Sequence, residues 1–191
     1  MTGHPYTVQI IRSRRRTLGI QIPDGAHVLI RAPLRMSAAE IRRIMEEKRD
    51  WIESHLAQAK KMEEACRQLP RLTMEEVDQL ADRALDFFPQ RVRMIAQQMN
   101  VRFGRITVRN QKTRWGSCSS KGNLNFNCLL MLTPPDVMDS IVVHELCHRK
   151  EMNHSARFYA EVLKAMPEYR QKQKWLKDHG EMILAMAQDD R

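Results

Sequence analysis

The chain has 191 residues, of which 42% are hydrophobic, so it can form one full hydrophobic core or one core with a small added layer. No apolar run approaches the roughly 20 residues that a membrane span needs, and the first residues lack the apolar segment of a signal peptide, so we expect a soluble, cytoplasmic protein. The formal net charge of +9 favours anionic partners such as nucleic acid or nucleotides without identifying one.

Short segments rich in β-branched residues open the chain, with a turn signal at residues 23–25. They predict a small antiparallel β-meander over residues 7–13, 18–22 and 28–31. A cluster of four arginines extends from the end of the first strand towards the second: Arg12, Arg14, Arg15 and Arg16. The cluster is typical of a solvated hairpin tip, and the alternative is a surface that contacts nucleic-acid phosphates.

Two capping boxes predict where helices begin. In each of them a hydroxyl residue precedes a glutamate by three positions, as Ser37 precedes Glu40 and Thr73 precedes Glu76. Helical spacing of apolar residues carries the first helix to about residue 60. The second helix should run to about residue 99, with a break or kink at Pro89.

The stretch between these helices, from Lys61 to Leu72, is charged and less periodic, and we place the domain boundary there. Residues 1–65 should form an N-terminal subdomain with the β-meander and the long helix. Residues 66–191 should form the second domain. The expected fold class is α+β.

After Asn100 the pattern predicts a strand at residues 106–109 and a hairpin from about residue 113 to 131, turning at residues 119–122. If Cys118 pairs with Asn123, then Trp115 and Phe126 face the core and the opposite face is polar. That polar face either lines a cleft or meets solvent. It supplies the candidate substrate-binding residues, which are Arg114, Gly116, Asn125 and Asn127.

A buried helix should begin near Thr133, because a capping threonine is followed by proline and aspartate and then by a nearly continuous apolar sequence. Within it stand His144, Glu145 and His148. Histidines four residues apart project from one side of a helix and can bind one metal ion. This is the His-Glu-x-x-His pattern, in which the glutamate acts as general acid and base.

His154 is the preferred third ligand. Asn153 can adopt the left-handed conformation that ends a helix and so turn the chain back towards the ion. The alternatives are the downstream residues Glu161 and Glu168. Three neutral histidines leave one tetrahedral position for water, as in catalytic zinc sites, and the four cysteines form no Cys-x-x-Cys pair for a closed structural site. We therefore expect one zinc ion per chain.

The chain closely resembles the YgjP-like family of zinc metallopeptidases. The segments that carry the resemblance are Arg114–Ser120, His144–His148, Asn153–Ser155, Arg12–Arg16 and Arg31–Leu34. The resemblance implies a zincin-like domain, distantly related to SprT-like DNA-associated proteases and WLM metallopeptidases. It also implies that the three histidines are ligands and that Glu145 is the catalyst. Glu151 stands where metzincins have glycine, so the chain is not a metzincin.

A metallopeptidase is the leading functional hypothesis, with an extended peptide paired along the strand that begins the hairpin. Members of the resembled family are described both as peptidases and as nucleotide pyrophosphatases, so hydrolysis of a nucleoside triphosphate at the same zinc site is an alternative. A further alternative is a DNA-associated protease or a nucleic-acid-binding zinc module that uses the basic N-terminal hairpin. The sequence predicts no oligomeric state.

Overall fold

The computed structural model of the protein describes residues 6–187 and divides into two units, Met1–Leu69 and Pro70–Arg191. The units contain six α-helices and two small sheets among the described residues, which confirms the α+β class. The predicted boundary after residue 65 falls inside a helix, and the units divide after Leu69. In the described part of the chain, no helix combines the length and the apolar character needed to cross a membrane.

The first unit opens with a three-stranded sheet of β1 (Thr7–Ser13), β2 (Gly19–Gln21) and β3 (His27–Pro33). Its order is β1-β3-β2, with β1 parallel and β2 antiparallel to β3, so the predicted antiparallel meander is wrong. The prediction assumed that strands adjacent in sequence pair with each other. Instead β3 takes the centre because its alternate apolar side chains form the core of the sheet: Val28, Ile30 and Ala32.

The basic segment is therefore a crossover and not a hairpin tip, because β1 and β2 lie on opposite sides of β3. The Arg12 guanidinium donates hydrogen bonds to main-chain carbonyls between Pro33 and Met36, and so joins the end of β1 to the end of β3. The Arg15 side chain lies against Gly19. Arg14 and Arg16 are exposed.

Two helices follow, α1 (Ala38–Glu47) and α2 (Arg49–Arg67), where a single long helix was predicted. Lys48 interrupts them with φ −106° and ψ 12°. The capping box at the start of α1 is confirmed, since the Ser37 hydroxyl accepts from the Glu40 amide and the Glu40 carboxylate accepts from the Ser37 amide. The helices and β3 share one apolar core.

The second unit begins with α3 (Met74–Gln98), whose capping box of Thr73 and Glu76 is also confirmed. The helix runs through Pro89 without a break. Proline removes the hydrogen bond to the carbonyl of Leu85, but Leu85 is 51% exposed, so solvent can satisfy this carbonyl.

A second three-stranded sheet contains β4 (Ile106–Arg109), β5 (Gly116–Cys118) and β6 (Leu124–Asn127) in the order β4-β6-β5. Strand β4 is parallel to the central β6, and β5 is antiparallel to it. A 3-10 helix at Cys128–Leu132 and three helices complete the unit. These are α4 (Pro135–Cys147), α5 (Ala156–Ala165) and α6 (Tyr169–Met186). One core joins the sheet to α3 and α4.

The β5–β6 hairpin is shifted by one residue from its predicted register. Cys118 pairs with Leu124 and Gly116 with Phe126, not Cys118 with Asn123. The cause is the turn: Gly122 has a φ of +80° and the Ser119 amide donates to the Asn123 carbonyl, which leaves a three-residue loop where four residues were assumed. Because side chains alternate along a strand, this shift moves Gly116 to the core face.

Candidate metal centre

Three histidines converge at the C-terminal end of α4. His144 lies in its last turn, His148 follows its last residue, and His154 comes from the loop before α5. One ligand nitrogen from each lies within 4.8 Å of the others, and the Nε2 atoms of His144 and His154 are 3.0 Å apart. The spacing of four residues places the first two side by side, and the loop brings the third.

The loop reaches the cluster by a different route from the predicted left-handed Asn153. Asn100 is the sole non-glycine residue with positive φ among residues 6–187. The chain leaves α4 through amides that donate back to its last turn, including Glu151 to the Cys147 carbonyl. Ser155 then caps α5 by accepting from the Phe158 amide. The loop between these two anchors holds His154.

Neighbouring groups orient two of the rings. The Nδ1 atom of His148 lies 3.2 Å from the main-chain carbonyl of Glu151, which can only accept, so Nδ1 carries the proton and Nε2 keeps its lone pair. The Nδ1 atom of His144 lies 2.6 Å from the hydroxyl of Tyr169 at the start of α6. Such contacts fix the tautomer of metal-binding histidines.

Burial favours the neutral form of His144 and His148. It lowers the pKa of His144 to about 4, and the proximity of His148 and His154 adds to the effect. Burial also lowers the pKa of His148. A neutral imidazole is the form that binds a metal ion, so His144 and His148 have the protonation state of metal ligands, and all three histidines have the convergence of a ligand set.

Glu145 lies beside the cluster with 5% of its surface exposed. Burial raises its pKa to about 8. A Cβ atom built on Gly116 would lie 2.8 Å from the Glu145 Oε1 atom, so the β5 backbone approaches the carboxylate more closely than any other residue would allow. The corrected register therefore places Gly116 against the proposed catalytic group.

Two residues at the site were not identified from the sequence. The buried ring of Phe158 packs against His144, His148 and His154, with centroid distances of 4.9, 4.6 and 4.9 Å. Phe158 stands four residues after His154, a spacing that could have indicated contact. Tyr169 gave no such signal, because only the packing of α6 on α4 brings its hydroxyl to His144.

Of the other predicted substrate-binding residues, Asn125 and Asn127 do not share the face of Gly116, whereas Arg114 lies just before β5. Asn127 is fully buried, and its amide donates to the carbonyls of Gln111 and Arg114 while its oxygen accepts from Leu129. Asn125 lies on the sheet face opposite Gly116, since it pairs with Ser117. The Arg114 side chain is exposed immediately before β5.

The alternative third ligands are not in the cluster. Glu161 forms an ion pair with Lys150 at 2.6 Å, and Glu168 is exposed at the start of α6. Among the described residues, the three histidines form the only group with metal-ligand geometry.

A cavity of about 430 Å³ opens beside His144, and Tyr159, Tyr169, Arg170 and Gln173 contribute to its wall. A larger cavity of about 770 Å³ lies between α3, α4 and α5, but none of the three histidines lines it. The smaller cavity is therefore the one that adjoins the candidate metal centre.

Two solved structures resemble part of the chain. They are the metallopeptidase zymogens of Methanocaldococcus jannaschii jannalysin and Pyrococcus abyssi abylysin, with 20% and 19% sequence identity and TM-scores of 0.42 and 0.44. Each likeness covers 48% of this chain and 94% of the other. No curated protein matches the sequence significantly.

The sequence model of the YgjP-like metallopeptidase domain matches residues 16–77 and 77–179. The match includes the three histidines, Glu145 and the β5–β6 hairpin. Because it extends over most of the chain, the protein belongs to the YgjP-like family.

Proposed function

We propose that the protein is a zinc-dependent peptidase in which His144, His148 and His154 hold the metal and Glu145 transfers the proton. The family supports a metal-dependent hydrolase in general terms. The assignment of the three histidines and Glu145 is supported by one observation. Three imidazole nitrogens converge within 4.8 Å of one another, and the carboxyl group of the next residue after His144 is buried.

The donor set fits zinc. Zinc binds imidazole nitrogens in tetrahedral geometry, and three protein ligands leave one position for the reaction. The Nδ1 contact of His148 with a carbonyl leaves its Nε2 lone pair available to the ion, and the contact of His144 Nδ1 with the Tyr169 hydroxyl is compatible with the same tautomer. When bound, zinc supplies a Lewis acid that activates water and polarises the scissile carbonyl.

The position of Glu145 supports its proposed role in proton transfer. Glu145 follows His144 directly in α4, and its carboxylate lies against the backbone of Gly116 in β5. It takes a proton from the attacking water and later gives that proton to the leaving amine. Its burial protects it from bulk solvent during the transfer.

Strand β5 offers a place for the substrate. It forms an edge of the sheet order β4-β6-β5, so an extended peptide can add to it as a further strand. A peptide in that position passes Gly116 and brings its carbonyl near Glu145. The exposed Arg114 stands at the entrance of β5 and is our proposed substrate contact, and the cavity beside His144 receives a substrate side chain.

Metal content tests the ligand set. We expect about one zinc per chain in the wild type and in Glu145→Gln, and loss of zinc in His154→Ala. His179→Ala is the matched control, because His179 stacks on Trp175 and is not part of the cluster. Full zinc affinity in His154→Ala would remove that ligand from the proposal, and a wild type that binds no metal would overturn the proposal.

Substrate assays test the activity. We expect the zinc-loaded protein to cleave members of a quenched-fluorescence peptide library, and Glu145→Gln to lose about 100-fold to 10,000-fold in rate while it retains zinc. Nucleoside triphosphates are assayed in parallel for release of pyrophosphate. Pyrophosphate release without cleavage of any peptide would contradict the peptidase proposal and favour the nucleotide hydrolase.

A further inference from the structure

The region around the second sheet has an unusual charge distribution. Between Asp86 and Asp136 the sequence contains no aspartate or glutamate, and it contains eight lysines and arginines. This interval includes all three strands of the sheet β4-β6-β5. A long interval without acidic residues creates a positive potential that attracts anions.

The face of this sheet that points away from Glu145 is polar across all three strands. Thr107 on β4 pairs with Asn125 on β6, which pairs with Ser117 on β5. Arg105 and Arg109 flank Thr107 at two-residue spacing and so share its face. Together these side chains line a concavity of about 270 Å³. We call this surface the outer face of the sheet.

The cations of the outer face are not neutralised. Arg105 and Arg109 are both exposed, and within residues 6–187 neither guanidinium forms an ion pair or a hydrogen bond. The residues that line the concavity include no acid. Arg91 of the same acid-free interval differs, because its guanidinium is paired with Asp139.

The outer face also contains unused hydrogen-bonding groups. The Thr107 hydroxyl donates to the Asn125 side-chain oxygen at 3.0 Å, which orients the amide, and the buried Asn125 Nδ2 has no partner among the described residues. In the same wall the buried Gln111 Oε1 lacks a donor. Buried polar groups without partners cost free energy, and a ligand with both acceptors and donors would recover it.

We propose that the outer face binds the sugar-phosphate backbone of a nucleic acid. Guanidinium, hydroxyl and amide side chains are the groups that contact phosphate oxygens and sugars, and they are the groups present here. No aromatic side chain lines the concavity, so the bases have no stacking platform and binding is independent of sequence.

A polynucleotide fits this surface better than an acidic peptide. A peptide gains affinity by pairing its main chain with a sheet edge, whereas the outer face presents side chains that project from the sheet and no main-chain edge. The surface is also separate from the metal centre, because Gly116 on the opposite face of the sheet is the residue that meets Glu145. Nucleic-acid binding should therefore not require Glu145 or metal.

Fluorescence anisotropy with a labelled single-stranded oligonucleotide and the full chain tests the proposal across a salt series. We expect the double variant Arg105→Gln/Arg109→Gln to bind at least about tenfold more weakly at low salt, with a slope of log affinity against log salt that is shallower by about 1.4. Glu145→Gln should bind like the wild type. Arg93→Gln is the matched control, since Arg93 is exposed in the same acid-free interval but lies outside the concavity.

A second variant tests the Asn125 Nδ2 group, which has no hydrogen-bond partner among the described residues. Asn125→Asp replaces the amide by a carboxylate of the same shape and should weaken binding at least as strongly as the loss of one arginine. Unchanged thermal unfolding and zinc content show that each variant is folded. The proposal is overturned if the wild type does not bind at low salt, or if Arg14→Gln/Arg16→Gln abolishes binding while the outer-face variants do not. Equal competition by polyglutamate would also overturn it.

Discussion

Tyr169 illustrates how a single side chain at the metal centre depends on packing far along the chain. Its hydroxyl lies 2.6 Å from His144 Nδ1, although the two residues are 25 positions apart. If Nε2 binds the ion, Nδ1 must carry the proton and donate it to the Tyr169 oxygen. Burial raises the pKa of Tyr169, so the phenol stays protonated and keeps its own hydrogen for another acceptor.

Tyr169→Phe should therefore weaken zinc binding by about tenfold to 100-fold, because the imidazole of His144 loses the group that orients it. Zinc affinity is measured by competition with a chromophoric chelator. Tyr159→Phe is the matched control: Tyr159 is 43% exposed and its ring lies near His154 at a centroid distance of 6.3 Å. Equal affinity in Tyr169→Phe and wild type would show that the hydroxyl does not position His144.

At the scale of elements, the contact of β5 with α4 brings the strand to the carboxylate. Gly116 has no side chain, and a Cβ atom there would lie 2.8 Å from Glu145 Oε1 and 2.9 Å from its Cγ. Either the carboxylate or the strand would have to move. The carboxylate is buried in a packed interior, so either movement would raise the free energy of the folded state.

Gly116→Ala should reduce kcat/KM for peptide cleavage at least about tenfold while zinc content is kept, because the carboxylate is displaced from its position. It should also lower the free energy of unfolding by about 1–3 kcal/mol through overpacking. Peptide hydrolysis and urea denaturation measure the two effects. Ser117→Ala is the neighbouring control, since Ser117 points to the outer face. Wild-type kinetics in Gly116→Ala would contradict the proposed contact.

Other elements were predictable because their signals are local. Both capping boxes form as their sequences indicate, since each one joins groups three residues apart. Lys48 gave no such signal, and the interruption between α1 and α2 was missed. The hairpin register was missed by one residue, because alternation of polar and apolar side chains does not reveal whether the loop has three residues or four.

At the scale of the whole molecule, each unit has its own apolar core. One core is formed by β3 with α1 and α2, and the other by the second sheet with α3–α6. All three histidines, Glu145 and the residues of the outer face belong to the second unit. Metal binding should therefore stabilise the second unit directly.

Removal of zinc by a chelator should lower the unfolding midpoint of the second unit by roughly 10 °C, because zinc at 100 to 1,000 times its dissociation constant contributes about 2.7–4.1 kcal/mol. Tryptophan fluorescence in a Trp51→Phe background reports on this unit through Trp115 and Trp175. His154→Ala should show no response to the chelator. A wild-type midpoint that does not change on chelation would contradict the linkage of metal binding to folding.

The α+β class, the starts of α1 and α3 and the side-by-side placement of His144 and His148 could be predicted from the sequence, because the capping boxes and the four-residue spacing join residues within about one turn of each other. The sequence also indicated His154, which we propose as the third ligand. Three features became visible only in the folded chain: the parallel pairing of β1 with β3, the faces on which Gly116 and Asn125 lie, and the contact of Tyr169 with His144. Such features depend on which distant segments pack together, and the free energy of that packing is not encoded in local periodicity.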